Sequence, residues 1–196
     1  GEDKELQVVA SQFDVRIAVL EHGGAPKARN KGLELAIGKY VWFWDADCYI
    51  KPDHAKRMMD EFEAVPDADF VYSGYEFAEG QGTFDSESFD AYSLQSGNFI
   101  SSMAPIKREK AFPWDETLEA AQDWDYWLTA TEKGLKGVFV EGSGFITDTA
   151  KTGLSSEKWS AANRDETILT VRHKHGIPDR EIGVFGVLRR RDAPRF

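Results

Sequence analysis

The chain has 196 residues, 41% of them hydrophobic and 13% aromatic, which is enough for one substantial core and favours a single domain with at most a small appendage. Its net charge of -10 opposes a broad grip on nucleic-acid phosphates, although a bound metal can still bring a nucleotide to an acidic protein. No apolar run approaches the ~20 residues of a membrane span, and the single cysteine, Cys48, excludes an intrachain disulfide or a cysteine-built zinc site and favours a reducing, cytoplasmic setting.

No signal-peptide pattern stands at the start, and Gly1 in place of a methionine reads as a processed or truncated beginning. Residues 4–12 are predicted to form a short helix, and the apolar run Val15 to Leu20 a strand. Glu21-His22-Gly23-Gly24 interrupts it. Pro26 suits the first turn of a helix running to about Ile37, with Gly38 placed to stop it. In that helix Ala28, Gly32, Leu35 and Ala36 share one predicted packing face.

Tyr40 to Trp44 is apolar at every position, as a strand covered on both faces should be. Pro52 opens a helix with a stripe of Ala55, Met58, Met59 and Phe62. Pro66-Asp67-Ala68 is a turn, and Phe70 to Phe77 a strand. This alternation predicts an α/β sheet flanked by helices. Glu79 to Gly97, rich in Gly, Ser and acidic residues, reads as a long surface loop, and Asn98 to Ile106 as extended. A helix is predicted from Gln122 to Lys133, ended by Gly134, then a strand from Lys136 to Val140. A last helix runs from about Lys158 to His175 before Gly176 and Pro178. With no repeat and no linker, residues 1–178 read as one domain and 179–196 as a tail.

The chemistry concentrates where the strand Val41-Trp42-Phe43-Trp44 ends in Asp45-Ala46-Asp47. Ligands of open α/β sheets gather beyond the carboxyl ends of the strands. Two carboxylates there suit Mg²⁺ or Mn²⁺, which prefer hard oxygen donors and bind diphosphates. Read alone, the same two aspartates could equally cap the loop and the following helix.

The order of motifs carries more. Gly24-Ala25-Pro26-Lys27-Ala28-Arg29-Asn30-Lys31-Gly32, a helix, Gly38-Lys39-Tyr40, the strand and Asp45-Ala46-Asp47 resemble the family 2 glycosyltransferases. Further on, Phe112-Pro113-Trp114-Asp115-Glu116 and Gln122-Asp123-Trp124-Asp125-Tyr126-Trp127-Leu128 are similar to that family's Phe-Asp-Glu segment and its Glu-Asp-Trp-Asp-Leu-Trp-Leu motif. The resemblance covers roughly residues 1 to 156 and implies a GT-A fold. It implies that Asp47 coordinates the metal, that Asp45 lies near the ribose or a metal-bound water, and that Arg29 approaches the base or phosphates. Asp123 matches the catalytic base of inverting members. Nothing in this chain matches the βαβ unit with which the family normally begins, so the domain is expected to be truncated at its N-terminus or completed differently.

Helical geometry supports part of this independently. Residues 123 and 125 are about 200° apart on a helix, so both cannot face one cleft. Trp124, Trp127, Leu128 and Thr131 form a predicted buried stripe with Asp123 at its edge. Desolvation there would raise a carboxyl pKa toward that of a general base, although a capping or salt-bridged aspartate gives the same pattern. Trp114, in a Pro-containing loop, is the expected acceptor contact, while the tryptophans at 42, 44, 124 and 127 read as core. Gln122 replaces the family's Glu, and Cys48 reads as a small buried residue. His173 and His175 could add a metal ligand or simply favour a helix C-terminus. Arg189-Arg190-Arg191 reads as a solvated basic tail.

The resemblance thus implies a metal-dependent, inverting transfer of a sugar from a nucleotide-diphospho-sugar to a saccharide or lipid-linked acceptor hydroxyl. The expected cofactor is Mn²⁺ or Mg²⁺, with no nucleic-acid partner. A non-catalytic relative that binds nucleotide or carbohydrate is the alternative. A nucleotidyltransferase is a third reading, for which the chain offers no phosphate-binding glycine loop.

Overall fold

The computed structural model describes residues 4–147 and 161–178. Its elements in chain order are α1 (Lys4–Ala10), α2 (Gly24–Leu35), β1 (Tyr40–Val41), β2 (Cys48–Ile50), α3 (His54–Ala64), β3 (Phe70–Phe77), β4 (Gly82–Phe84), α4 (Ala91–Ser96), β5 (Ile106–Lys107), α5 (Gln122–Glu132), β6 (Gly137–Thr147) and α6 (Ala161–Lys174). The sheet order is β1-β5-β3-β6-β2, with β4 paired to the end of β3. β3 and β6 run parallel at the centre, and the flanking pairings are antiparallel.

β3 is the strand on which both faces are built. Alternate side chains of a strand point to opposite faces, and here Phe70 and Tyr72 enter the larger core while Val71 joins Met58, Phe62 and Ala68 beneath α3. On the larger side Phe70 stacks on Trp127 of α5 at 4.6 Å between centroids, so this helix lies directly on the sheet. Residues Trp124 to Leu128 are all buried, Asp125 included, rather than forming only a stripe. β6 bends past β3 through irregular register at Ser73 and Gly74, with Gly142 in the left-handed region at φ 87.

Several sequence expectations need correction. Val15 to Leu20 forms no strand. Its Val15, Ile17 and Val19 stay 54%, 49% and 61% exposed, because an extended segment becomes a strand only when another backbone completes its ladder, and none does so among the described residues. The face of α2 is rotated: Ala28 and Gly32 are exposed, and Pro26, Leu33 and Ala36 turn inward. β1 stops at Val41, and Val41 and Phe43 are buried while Trp42 and Trp44 are only half-buried, so the segment is not covered equally on both faces. In α3 the buried residue of the first turn is His54, with Ala55 outside. The segment 79–97 is no plain loop but contains β4 and α4, the latter capped by Asp90, whose carboxylate accepts from the Ser93 amide. β3 matches its predicted bounds, and β6 continues well beyond Val140. The predicted first residues of the last helix and the tail 179–196, with its three arginines, lie outside the described residues.

Candidate active site

The chain leaves β1 and carries Asp45-Ala46-Asp47 to the rim of the sheet from a fixed footing. Phe43 meets Trp114 edge-on at 5.2 Å, and Trp42 Nε1 donates to the Met103 carbonyl at 2.6 Å. Asp45 faces inward. Its Oδ1 accepts from Arg29 at 2.8 Å, and its Oδ2 accepts from the Ser102 hydroxyl at 3.3 Å.

Arg29 projects from α2 and gathers the site around one guanidinium. Besides Asp45 it donates to Gln122 Oε1 at 3.3 Å and to Ser102 Oγ at 3.4 Å. Its carbon lies 4.6 Å from the centre of the Trp114 ring, a cation–π distance. The Gln122 amide is fixed by donating from Nε2 to the Leu118 carbonyl at 2.9 Å, which leaves Oε1 to accept from Arg29. A planar fork with five donors suits this convergence better than an ammonium would.

Asp123 follows Gln122 in the first turn of α5. The helix opens from Ala121 in the left-handed region (φ 50, ψ 25), an uncommon place for a residue with a Cβ. Asp123 Oδ1 accepts from the Trp124 amide at 3.0 Å and Oδ2 from Asn98 Nδ2 at 2.8 Å. Burial holds its carboxyl above the usual carboxylate range, against the Trp124 amide and Arg29, with Asp45 adding to the rise. Tyr75, stacked between Phe84 and Phe145 at 4.7 and 4.8 Å, stands on the same side. Burial pushes its phenol well up, and the charge of Asp123 adds to it.

Asp47 is exposed and bears on the solvent side of the same turn. Its Oδ1 accepts from the Cys48 thiol at 3.7 Å. Burial pushes that thiol up to about 11, against a hydrogen bond with Thr147 and with help from Asp47 and Asp45, so it stays protonated at neutral pH. No three His, Cys, Asp or Glu side chains converge into a metal cage among the described residues. Mg²⁺ and Mn²⁺ at diphosphates do not need one, since one or two carboxylates plus phosphate and water oxygens complete the shell. An exposed Asp47 carboxylate fits that donor set, whereas Asp45 is already committed to Arg29.

Residues 1–119 match the sequence profile described as Glycosyl transferase family 2. The chain belongs to this family. Among curated relatives it is 29% identical to the putative teichuronic acid biosynthesis glycosyltransferase TuaG of Bacillus subtilis over 78% of this chain and 65% of that protein. It is 26% identical to an uncharacterized glycosyltransferase of Methanocaldococcus jannaschii over 66% of this chain and 50% of that one. The chain therefore spans less than two thirds of the length of these relatives. In fold it is similar to S. aureus TarS 1-349 in complex with UDP-GlcNAc, with a TM-score of 0.69 at 18% identity, covering 89% of this chain and 54% of that one. It is also similar to glucosyl-3-phosphoglycerate synthase from Mycobacterium tuberculosis in complex with UDP, with a TM-score of 0.52 at 16% identity, covering 95% and 70%. The architecture is that of the GT-A transferases.

Within this family frame Arg29, Asp45 and Asp123 lie near one another, while the Trp114 ring and His175, for which metal ligation was one of two open readings, are occupied otherwise. Trp114 is only 3% exposed, with Arg29 on one side and Tyr126 stacked at 4.1 Å, so it offers no open ring to an acceptor. Its indole N–H has no hydrogen-bond partner among the described residues. His175 is bound at both ring nitrogens, to Glu132 at 2.6 Å and Asp125 at 2.9 Å, and does not reach the acidic turn. Asp125 also accepts from Lys174 at 2.9 Å, so it faces α6 while Asp123 faces Asn98, as the 200° separation requires. Between α5, α6 and the loop at 112–115 lies a cavity of about 300 Å³ lined by Phe112, Asp115, Asp125, Glu132, Lys174 and His175 among others.

Sequence reading missed Asn98 and Ser102, which stand in a segment read only as extended, and gave no role to Asn30. A lone Asn or Ser in a loop carries no spacing signal, and only the fold shows what its side chain meets.

Proposed function

We propose that this domain transfers a sugar from a nucleotide-diphospho-sugar to an acceptor hydroxyl with inversion, assisted by Mn²⁺ or Mg²⁺ held at Asp47. Family membership supports the class of reaction. The observation that carries the site assignment is the junction of the acidic turn with α5: one guanidinium binds Asp45 and Gln122, the neighbour of Asp123. The metal, when bound, neutralises charge that develops on the departing diphosphate. Asp45 is held by Arg29 and Ser102, which fixes the turn that presents Asp47. Asp123 is the general base. Its carboxyl is raised by burial toward the working pH, and it takes the proton of the acceptor hydroxyl as that oxygen attacks the anomeric carbon. Arg29 lies beside the nucleotide site, and its guanidinium opposes too large a rise at Asp123. Trp114 serves by bearing on Arg29 rather than by stacking on the acceptor.

Two fold relatives were solved with UDP or UDP-GlcNAc, so uridine-diphospho-sugars are the first donors to try. The test is a thermal-shift titration with UDP and Mn²⁺, followed by a transfer or hydrolysis assay. Wild-type protein should gain melting temperature only when both are present, and Asp47→Ala should lose the gain. Asp123→Asn should keep the gain and lose turnover. Absence of a metal-dependent shift with UDP-, GDP- and dTDP-sugars alike would overturn the metal site. A shift without turnover would favour a nucleotide-binding relative.

A further inference from the structure

The base at Asp123 has a mount that no sequence motif announces. Asn98 lies just beyond α4, in a segment fastened to α5 at two points. Trp124 Nε1 donates to the Leu94 carbonyl at 2.7 Å, and Trp127 Nε1 donates to the Ser101 carbonyl at 3.1 Å. Both indoles are buried, as are Leu94 and Ile100. Asn98 thus sits between two anchors, each supplied by the helix that carries the base.

The amide orientation is also settled. Asn98 Oδ1 accepts from the Ile100 amide at 3.1 Å, so the nitrogen must turn the other way, toward Asp123 Oδ2 at 2.8 Å. We propose that Asn98 is the positioning residue of the catalytic base: it fixes the rotamer of Asp123 and keeps its carboxylate available as a proton acceptor. This rests on the reading of Asp123 as a base.

The physical argument is a balance. Leaving water disfavours the ionised carboxylate, and a hydrogen bond donated to it favours ionisation. From other residues Asp123 receives two such bonds, one from the Trp124 amide of its own helix and one from Asn98, and its own backbone amide acts in the same direction. The other charged or titratable groups that act on it are Arg29 on α2, Asp45 after β1, and Tyr75 on β3. Of the two direct donors, only Asn98 can be removed by changing a side chain. It is neutral, so it supports the charge without forming an ion pair that would hold the carboxylate too acidic for proton abstraction.

The test is a carboxyl-carbon NMR titration of Asp123, its resonance assigned by its disappearance in Asp123→Asn. Asn98→Ala should move the midpoint upward by about half to one pH unit, and Asn98→Asp, which keeps the size but adds a like charge, by more. The acid limb of the kcat–pH profile should move by the same amount, which is up to about a tenfold loss of rate on that limb at fixed pH. Affinity for UDP with Mn²⁺ should not change. A midpoint that stays in place in both folded variants would overturn the proposal. The titration needs no turnover, so a chain inactive with every donor would defeat the enzymatic reading while Asn98 was still judged by the midpoint.

Discussion

Asn30 and Trp114, separated by 84 residues in sequence, are joined by a two-way hydrogen bond: Asn30 Nδ2 donates to the Trp114 carbonyl at 3.0 Å, and the Trp114 amide donates to Asn30 Oδ1 at 2.7 Å. One side chain thereby pairs with both main-chain polar groups of one residue and locks α2 to the loop that precedes α5. Arg29, its neighbour, is set over the Trp114 ring by the same lock.

Asn30→Ala removes both bonds, together with the one that Nδ2 donates to Glu116 Oε1 at 2.8 Å, and leaves the main chain at Trp114 without its side-chain partner. Unmade bonds of this kind cost about 1–3 kcal/mol, and the loss should appear as a lower urea midpoint with an unchanged slope. An unaltered midpoint would mean that water replaces the amide without penalty.

Asp125 is the buried anchor of α6, with a side chain 5% exposed between Lys174 and His175. Its removal leaves Lys174 with Asp115 and His175 with Glu132, so the loss is that of the unmade hydrogen bonds in this junction, about 1–3 kcal/mol. Asp125→Ala should therefore be destabilised on that scale, with proteolysis beginning at α6. Cleavage first at α1 or α2 would place the weak point elsewhere.

Asp115 gives a pH dependence whose sign is fixed. Its hydrogen bond with Lys174, joined by that of Thr117, holds its carboxyl at about 2 against an ordinary 3.8. A depressed carboxyl contributes stability above the unfolded value and loses it as pH falls through the folded one. The melting temperature of Asp115→Asn should thus lie below wild type at neutral pH, and the gap should close between about pH 4 and pH 2. A gap that persists at the acid end would assign the effect to packing rather than charge.

Gly144 leaves room for a histidine. A Cβ there would fall within the ring of His54, which is buried among Trp42, Trp44 and Phe145. The Gly144 backbone cannot simply withdraw, since its carbonyl accepts from the Lys51 amide at 3.0 Å. Gly144→Ala should cost about 1–3 kcal/mol as overpacking, and less than that when added to His54→Ala. Simple additivity in that double-mutant cycle would refute the contact.

Part of this was legible in the residues. The strand at 70–77 carried an uninterrupted apolar start, and the helix at 122–132 was bounded by Gly134. The order of the motifs pointed to the family, and helical geometry set Asp123 and Asp125 on different sides of α5. The strand expected at 15–20 failed for a reason the local sequence cannot contain: apolar content makes a strand eligible, and only a neighbouring backbone makes it one. The α2 face failed similarly, because small residues fit either a packed or an open surface.

The sequence by itself determined which candidate groups this protein offers: two aspartates after a strand, an arginine in a helix, and an aspartate near the start of another. Those facts follow from residue type and short-range spacing. Only the tertiary structure decided how they are held. Arg29 spans Asp45 and Gln122, Asn98 meets Asp123, and Trp114 is spent beneath Arg29, all through bonds between residues far apart in the chain. Such pairings depend on how helices settle on a sheet, and no local pattern encodes the side chain that a distant loop will present.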